Sequence, residues 1–290
     1  MRFSVIIATK DRAALLDGAL ASLARQEHAL DLEVIVVDNG SSDATKAVAE
    51  RHGVVYVYEP QPNRGKARNR GVAVAAGSVV LFVDDDVVLP PDFLAAHARA
   101  HAASRFPLVV SGPIINVPSA QERPTPAIVN YSAAFFCTCN VSVRAASLAA
   151  VGGFDEAFEL YGWEDTELGV RLRDFDVRRA FAWDAYLWHI KPPELDTLDA
   201  ALTKTIEKAR MAARFVLKAP TQRAKLATGA YRFNLLRAKA LAPRFAQPFF
   251  AGIATSAGVP SAIANFARGR LLDSVYVDEL TTSLAKRDAG

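Results

Sequence analysis

The stretch Val79-Val80-Leu81-Phe82-Val83-Asp84-Asp85-Asp86 decides the fold. Five apolar residues in a row, three of them β-branched, predict a strand buried on both faces. Three carboxylates then end it. Carboxylates this close repel one another and resist burial, so a cation has to sit among them. A divalent metal carrying its own anionic ligand, typically a phosphate, meets that need. The alternative is an acidic turn in solvent ahead of Val87-Val88-Leu89-Pro90-Pro91.

The neighbouring sequence repeats the same grammar. Phe3–Ala8 reads as a strand and 13–26 as a helix, with Leu15, Leu16, Ala19, Leu20 and Leu23 on one face. Leu32–Val37 is a second strand that runs into Asp38-Asn39-Gly40-Ser41-Ser42, and a helix capped by Ser42 or Asp43 follows to about His52. Val54–Tyr58 is a third strand, Gly65–Ala76 a helix ended by Gly77, and Val79–Val83 the fourth strand. Strands alternating with single helices predict an α/β fold whose sheet is mostly parallel, with right-handed crossovers. Ligands of such sheets bind at the strand C-terminal edge, where Thr9, Asp38 and the aspartate triplet fall.

Beyond Pro91 the pattern loosens. Residues 92–104 read as a helix, 108–111 as a short strand, and the Pro-containing 116–130 as a mobile loop. Residues 130–143 read as one or two strands, 164–175 as a helix, and 177–182 and 186–189 as extended. From 197 to about 241 the chain reads as helical. The expected organisation is therefore 1–196, with halves 1–105 and 106–196, followed by a basic helical region 197–290.

The chain has 290 residues, 51% of them hydrophobic, and a formal net charge of +3. The charge is unevenly spread. Residues 197–250 hold 11 Lys and Arg against 2 Asp and Glu, whereas residues 1–196 hold 19 basic and 25 acidic residues. In 197–250 basic residues alternate with apolar ones, a pattern that suits either an anionic membrane surface or a solvated bundle packed on the rest. Residues 245–267 are uncharged and long enough to span a bilayer as a helix, but Gln247, Pro248, Thr255, Ser256, Pro260, Ser261 and Asn265 make them polar and broken for a lipid-facing span, so packing on the domain and entry into the membrane both stay open. Cys137 and Cys139 sit one residue apart and would point to opposite faces of a strand. They read as buried thiols of a reducing compartment, not a disulfide or zinc site. With no signal peptide legible ahead of Phe3, the expected location is cytoplasmic, peripheral to the membrane at most. No nucleic-acid partner is expected.

Four further features carry chemistry. Asp38 is placed either to accept an N–H of a nucleobase or to cap the turn after it. The basic stretch from Asn63 to Gly71, with Arg64, Lys66, Arg68 and Arg70, suits a phosphate at a helix N-terminus or a solvated face. Glu164 and Asp165 follow Tyr161-Gly162-Trp163, so a carboxylate desolvated by aromatic neighbours is expected to accept a proton. His189 is a candidate metal ligand. His97 and His101 lack the glutamate of a zinc-protease helix and read as surface residues.

The order of these pieces resembles the inverting GT-A glycosyltransferases of the family 2 type. The likeness runs from Ser4 to about His189. It covers Ser4-Val5-Ile6-Ile7-Ala8-Thr9, Glu33 to Asp43, Asn63 to Gly71, the Asp-x-Asp of Asp84 and Asp86, Gly153-Phe154-Asp155-Glu156, and Glu164-Asp165. It implies a Rossmann-like nucleotide-binding fold and a donor that is a nucleotide-diphosphate sugar, by default a UDP-sugar. The acceptor would be a glycan or a lipid-linked sugar. Thr9 and Asp38 would hold the nucleotide, Arg68 would approach the diphosphate or base, and Asp84 would touch the sugar or ribose. Asp86 and His189 would bind Mn2+ or Mg2+, Asp165 would be the base and Glu164 would orient the acceptor. Asp85 stands beside the donor where many members carry a small or apolar residue. Two other readings remain open: a haloacid dehalogenase-like phosphatase using Asp84 as nucleophile, and a non-catalytic nucleotide-sugar sensor or membrane scaffold.

Overall fold

The computed structural model describes residues 1–26 and 31–286. The chain divides into two compact units. The first comprises 1–159 and 164–193, the second 160–163 and 194–290.

The first unit is built on a seven-stranded sheet. In chain order its strands are β1 (Phe3–Thr9), β2 (Leu32–Asp38), β3 (Val55–Tyr58), β4 (Val79–Val83), β6 (Leu108–Ser111), β8 (Asn140–Arg144) and β9 (Arg178–Phe181). Their spatial order is β3-β2-β1-β4-β8-β6-β9. β3, β2, β1 and β4 are mutually parallel, and β8 runs antiparallel between β4 and β6. A small second sheet joins β5 (Val87–Val88), β10 (Leu187–Ile190) and β7 (Ile114–Val117) in the order β5-β10-β7. The mostly parallel α/β sheet flanked by helices that the sequence pattern predicts is the observed fold.

β4 is buried throughout, as its composition requires. Its side chains alternate between two cores. Val79, Leu81 and Val83 join Phe3, Val5 and Ile7 on one face. Val80 and Phe82 join Ile6, Val109 and Val141 on the other. Each such side chain contributes about 1.5–3 kcal/mol of burial. A one-residue slip of register would exchange the two sets, so the depth at which the aspartates emerge is firmly set.

Helices α1 (Ala13–Leu23), α2 (Thr45–Arg51), α3 (Arg64–Val74), α4 (Phe93–Ala102), α5 (Ala145–Ala150) and α6 (Glu164–Asp174) complete this unit. α3 lies close on β1 and β2 because Gly71 has no side chain there. A Cβ at that position would meet Ile6 Cγ2 at 2.7 Å and Val37 Cγ2 at 3.1 Å. The close approach brings Arg68, one turn earlier, over the sheet edge. Asn63 caps α3 by accepting the amide of Lys66 at 2.9 Å.

Two expectations change. Residues 131–139 form irregular chain, and only 140–144 make a strand. The amide of Thr138 is spent on a carboxylate of α6, 27 residues further on, and not on a ladder. His97 and His101 are fully buried, not on the surface. α4 turns both toward β8, where Ser142 Oγ lies 2.8 Å from His97 Nδ1 and 2.8 Å from His101 Nε2, and Asn140 Oδ1 lies 3.1 Å from His97 Nε2. Burial holds His97 down at about 3 and His101 at about 4, so both stay neutral.

The second unit is helical: α7 (Leu198–Lys218), α8 (Gln222–Thr228), α9 (Arg232–Leu241), α10 (Gln247–Thr255) and α11 (Ser261–Ala285). Ala209, Ala212 and Ala213 of α7 pack with Leu280 of α11, and Trp163 closes the cluster. The uncharged stretch 245–267 is split between α10 and α11. Among the described residues no helix is long and apolar enough to cross a membrane. A cavity of 430 Å³ within this unit is lined by Trp163, Lys208, Tyr231, Arg237, Arg270 and Tyr276 among others.

Candidate active site

Thr9 and Asp38 stand side by side at the ends of parallel β1 and β2, and the aspartate triplet leaves the adjacent end of β4. β1 leads to β2 on one side of itself and is flanked by β4 on the other. That reversal of strand order opens a crevice at the C-terminal edge, where doubly wound sheets bind ligands.

The three aspartates have different fates. Asp85 is buried, and its Oδ2 accepts the hydroxyl of Thr9 at 2.6 Å. Arg12 Nη1 donates to Asp85 Oδ1 and to Asp86 Oδ2, both at 3.1 Å. Asp86 is tied to the second sheet as well. Its carbonyl accepts the amide of Ile190 at 2.7 Å, and Lys191 Nζ lies 3.5 Å from its carboxylate. Burial pushes Asp86 up, but His189, Lys191 and Arg12 outweigh it and hold the group at about 2. For Asp85 burial wins over Thr9 and Arg12, and its pKa is raised. Asp84 remains 33% exposed at its side chain. Thr9 thus reaches the ligand edge through Asp85.

Asp38 is enclosed. Its Oδ1 accepts the amide of Ser41 at 2.7 Å, the turn-capping bond, and its Oδ2 accepts the hydroxyl of Tyr56 at 2.7 Å. Burial and this anion raise the Tyr56 pKa, so the phenol keeps its proton. Each carboxylate oxygen retains a further lone pair.

A second carboxylate group forms around Arg68, which is buried on α3. Its guanidinium lies 3.2 Å from Glu164 Oε1, 3.7 Å from Asp165 Oδ1 and 4.0 Å from Asp84 Oδ1. Lys66 and Arg70 pair with the buried Glu59 at 3.2 and 3.1 Å. These basic residues, expected to face phosphate or solvent, neutralise carboxylates of the protein itself. Asp165 Oδ2 accepts both the amide and the hydroxyl of Thr138, at 2.8 and 3.0 Å. Its Oδ1 is buried with no hydrogen bond. Burial raises Asp165 to about 6, against the opposing pull of Arg68 and Thr138. The side chain is 22% exposed, so the carboxylate is at once desolvated and open to the outside. Trp163 turns to other partners: it packs on Phe215 and donates its indole N–H to the carbonyl of Lys208.

Do these residues suit a divalent cation? Asp86 Oδ1 and His189 Nε2 are both buried and lie 2.9 Å apart, each with the other as its close polar partner. A carboxylate and an imidazole so placed are also metal donors. An oxygen of Asp84, the sulfur of Cys139 and an imidazole nitrogen of His189 also lie within 4.8 Å of one another. These three donors, of Asp84, Cys139 and His189, suit a divalent ion, and Asp86 is joined to them through His189.

The sequence missed Arg12, Tyr56, Thr138, Cys139 and Lys191. Arg12 lies in the turn after β1, where a cation facing the triplet was a legible signal. The others depend on strand pairing that no local pattern reveals.

A family model described as glycosyl transferase family 2 matches residues 4–148, half of the chain. The chain belongs to glycosyltransferase family 2. A second model, described as the N-terminal domain of galactosyltransferase, matches residues 125–184 of this family 2 chain and so covers Glu164 and Asp165. A validoxylamine A glucosyltransferase from Streptomyces hygroscopicus subsp. jinggangensis is 31% identical over 262 residues, covering 75% of this chain and 61% of that protein. The chain thus spans about 60% of the length of the curated relatives it matches. Among solved structures, a mannosyltransferase from Pyrobaculum calidifontis in complex with GDP-Man and Mn2+ superposes with a TM-score of 0.67 at 19% identity, covering 98% of this chain and 86% of that one. S. aureus TarS in complex with UDP-GlcNAc gives 0.57 at 20% identity, covering 100% and 92%. Both likenesses concern the fold. Family membership displaces the phosphatase reading of Asp84.

Proposed function

We propose that this family 2 chain transfers a sugar from a nucleotide-diphosphate donor, a UDP- or GDP-sugar, to a hydroxyl of a glycan or lipid-linked acceptor, with inversion at the anomeric carbon. One observation carries the reading. Asp165, a carboxylate raised to about 6, and Asp86, a carboxylate held at about 2, stand at one sheet edge, with Arg68 spanning Asp165 and Asp84. The first is suited to take a proton at neutral pH and the second to stay anionic beside a cation.

In this reading Thr9 and Arg12 position Asp85 and Asp86, and Asp38 receives the base with its spare lone pairs. Asp84, Asp86 and His189 would hold Mn2+ or Mg2+. Bound there, the ion supplies positive charge against the diphosphate as it leaves. Asp165 takes the proton of the acceptor hydroxyl, with Thr138 holding Oδ2 and Arg68 beside Oδ1. Glu164, anchored by Arg68, orients the acceptor. The acceptor oxygen forms its bond to the anomeric carbon as the bond to the diphosphate oxygen breaks on the opposite face. The nucleoside diphosphate departs with the electron pair. A single in-line displacement with one base gives inversion. The chain between β7 and β8 would fold over the acceptor in this reading and exclude water. The glycosyltransferase relatives and the two nucleotide-sugar complexes of this fold support the class of donor.

The test is nucleotide release from UDP-, GDP-, dTDP- and CDP-sugars, with Mn2+ or EDTA, by wild type and Asp86→Ala. Release from one donor that needs both the metal and Asp86 is expected. Absence of both release and binding across the panel would overturn the reading.

A second reading concerns location. Phe233, Phe245, Phe249 and Phe266 are exposed in the basic helical unit, near Arg232, Arg237 and Arg244 in the chain. That mixture supports peripheral attachment to an anionic cytoplasmic membrane face, where a lipid-linked acceptor resides. Salt-sensitive sedimentation with anionic vesicles is expected. No binding at low salt would remove this reading and leave the transfer reaction intact.

A further inference from the structure

We propose that Cys139 is a ligand of the divalent cation at the aspartate triplet. The centre then becomes a mixed oxygen, nitrogen and sulfur site that prefers thiophilic ions such as Co2+ or Zn2+ to Mg2+. The inference rests on the cation site proposed for Asp84, Asp86 and His189, and it adds a donor of different chemistry.

Three elements converge to make the site. β4 and β8 run antiparallel with Val83 opposite Asn140. One step further along that register brings Asp84 and Cys139 alongside each other. β10 pairs with β5 so that His189 stands opposite Val87, directly after the triplet. The outcome is that an oxygen of Asp84, Cys139 Sγ and a His189 nitrogen all fall within 4.8 Å of one another. Metal–ligand bonds of about 2.0–2.3 Å bridge such separations after small side-chain adjustments. Cys139 is only 6% exposed and His189 9%. The thiol is shielded from bulk oxidants and points its chemistry at two ligand-type neighbours. His189 also ties this group to the next carboxylate: its Nε2 lies 2.9 Å from Asp86 Oδ1, and both atoms are buried.

The donor set sets the preference. Mg2+ takes oxygen ligands and keeps its waters, whereas a thiolate beside an imidazole suits Co2+ and Zn2+. On coordination the sulfur–metal bond replaces the S–H bond, and the thiol proton leaves to solvent. The competing role for Cys139 is that of a thiol hydrogen-bonded to Asp84 at the edge of the apolar core it lines with Leu187 and Val83. That role requires no contact with a metal.

The experiment is a titration of the full chain with Co2+, alone and with UDP or GDP, followed by absorption. A near-ultraviolet thiolate-to-cobalt charge-transfer band is expected in wild type and in Cys137→Ser, and its loss in Cys139→Ser and Cys139→Ala. Co2+ affinity should fall in the Cys139 variants by at least the roughly 10–100-fold that loss of an outer-shell partner costs. X-ray absorption at the cobalt edge of the wild-type chain needs no variant. It should show one sulfur neighbour at about 2.3 Å. Visible ligand-field bands of bound Co2+ without the charge-transfer band or a sulfur neighbour would overturn the role of Cys139 and leave the cation site standing. A band lost in Cys137→Ser instead would also overturn it. No Co2+ bands with or without nucleotide would overturn both.

Discussion

Asp86 and Asp165 are the same side chain at the same edge of one sheet, yet their surroundings drive them apart. Asp86 is ringed by His189, Lys191 and Arg12 and is held at about 2. Asp165 is desolvated beside Thr138 and a single shared arginine and rises to about 6. Burial acts on both in the same direction. At Asp86 the contact with His189 and the charges of Lys191 and Arg12 outweigh burial, whereas at Asp165 burial prevails with the like charge of Glu164 beside it. The comparison teaches that a carboxylate's task is set by its partners, and that one edge can hold a permanent anion and a proton acceptor together.

Loss of the proton-accepting carboxylate should cost the most. Asp165→Asn should lower kcat by about 10²–10⁴-fold with donor binding nearly unchanged. Transfer at close to the normal rate would end the base assignment. Removing the anion should act on affinity instead. Asp86→Ala is expected to weaken Mn2+ binding by at least roughly the 10–100-fold that loss of an outer-shell partner costs, measured by metal titration in the presence of nucleoside diphosphate. Equal metal affinity in the variant would show that Asp86 is only structural.

The buried histidines carry the same contrast to stability. His97 and His101 have folded pKa values of about 3 and 4, below the ordinary value of 6.5. The neutral forms are the folded ones, so their stabilisation is complete above pH 6.5 and is lost as pH falls below it. Each should weaken the fold by up to about 1.4 kcal/mol per pH unit in that window. Chemical denaturation from pH 7 to 4 measures the slope, and His97→Gln should make it shallower.

The smallest effect concerns tuning. With Asp165 as base, kcat/KM should fall about tenfold per unit as pH drops below about 6 and level off above it. Thr138→Val removes the hydroxyl that pulls Asp165 down, so the midpoint should move upward. One hydrogen bond of about 1 kcal/mol corresponds to less than about one pH unit. An unmoved or lowered midpoint would mean that Asp165 is not the titrating group.

Much of the fold was legible because its signals are local. The alternation of apolar runs with capped helices between residues 1 and 102 announced parallel βα units. The uniform burial of Val79–Val83 followed from its composition. Placement of Thr9, Asp38 and the triplet on one edge followed from strand direction alone. Residues 131–139 were misread as strand because aromatic and apolar content is shared by strands and by irregular chain packed on a core. His97 and His101 were misplaced because helical spacing says that two residues share a face, not which face meets the sheet.

The α/β class, the sheet edge that carries the site and the carboxylates crowded on it are written in contiguous residues, because period and strand polarity are local properties. What each of those groups meets emerges only on folding. Arg68 is given to Glu164 and Asp165, Arg12 to Asp85 and Asp86, and Cys139 stands beside Asp84 and His189. Those neighbours are brought together by non-local strand pairing and by one glycine that lets α3 sit low on the sheet. Electrostatics acts through distances that only packing creates.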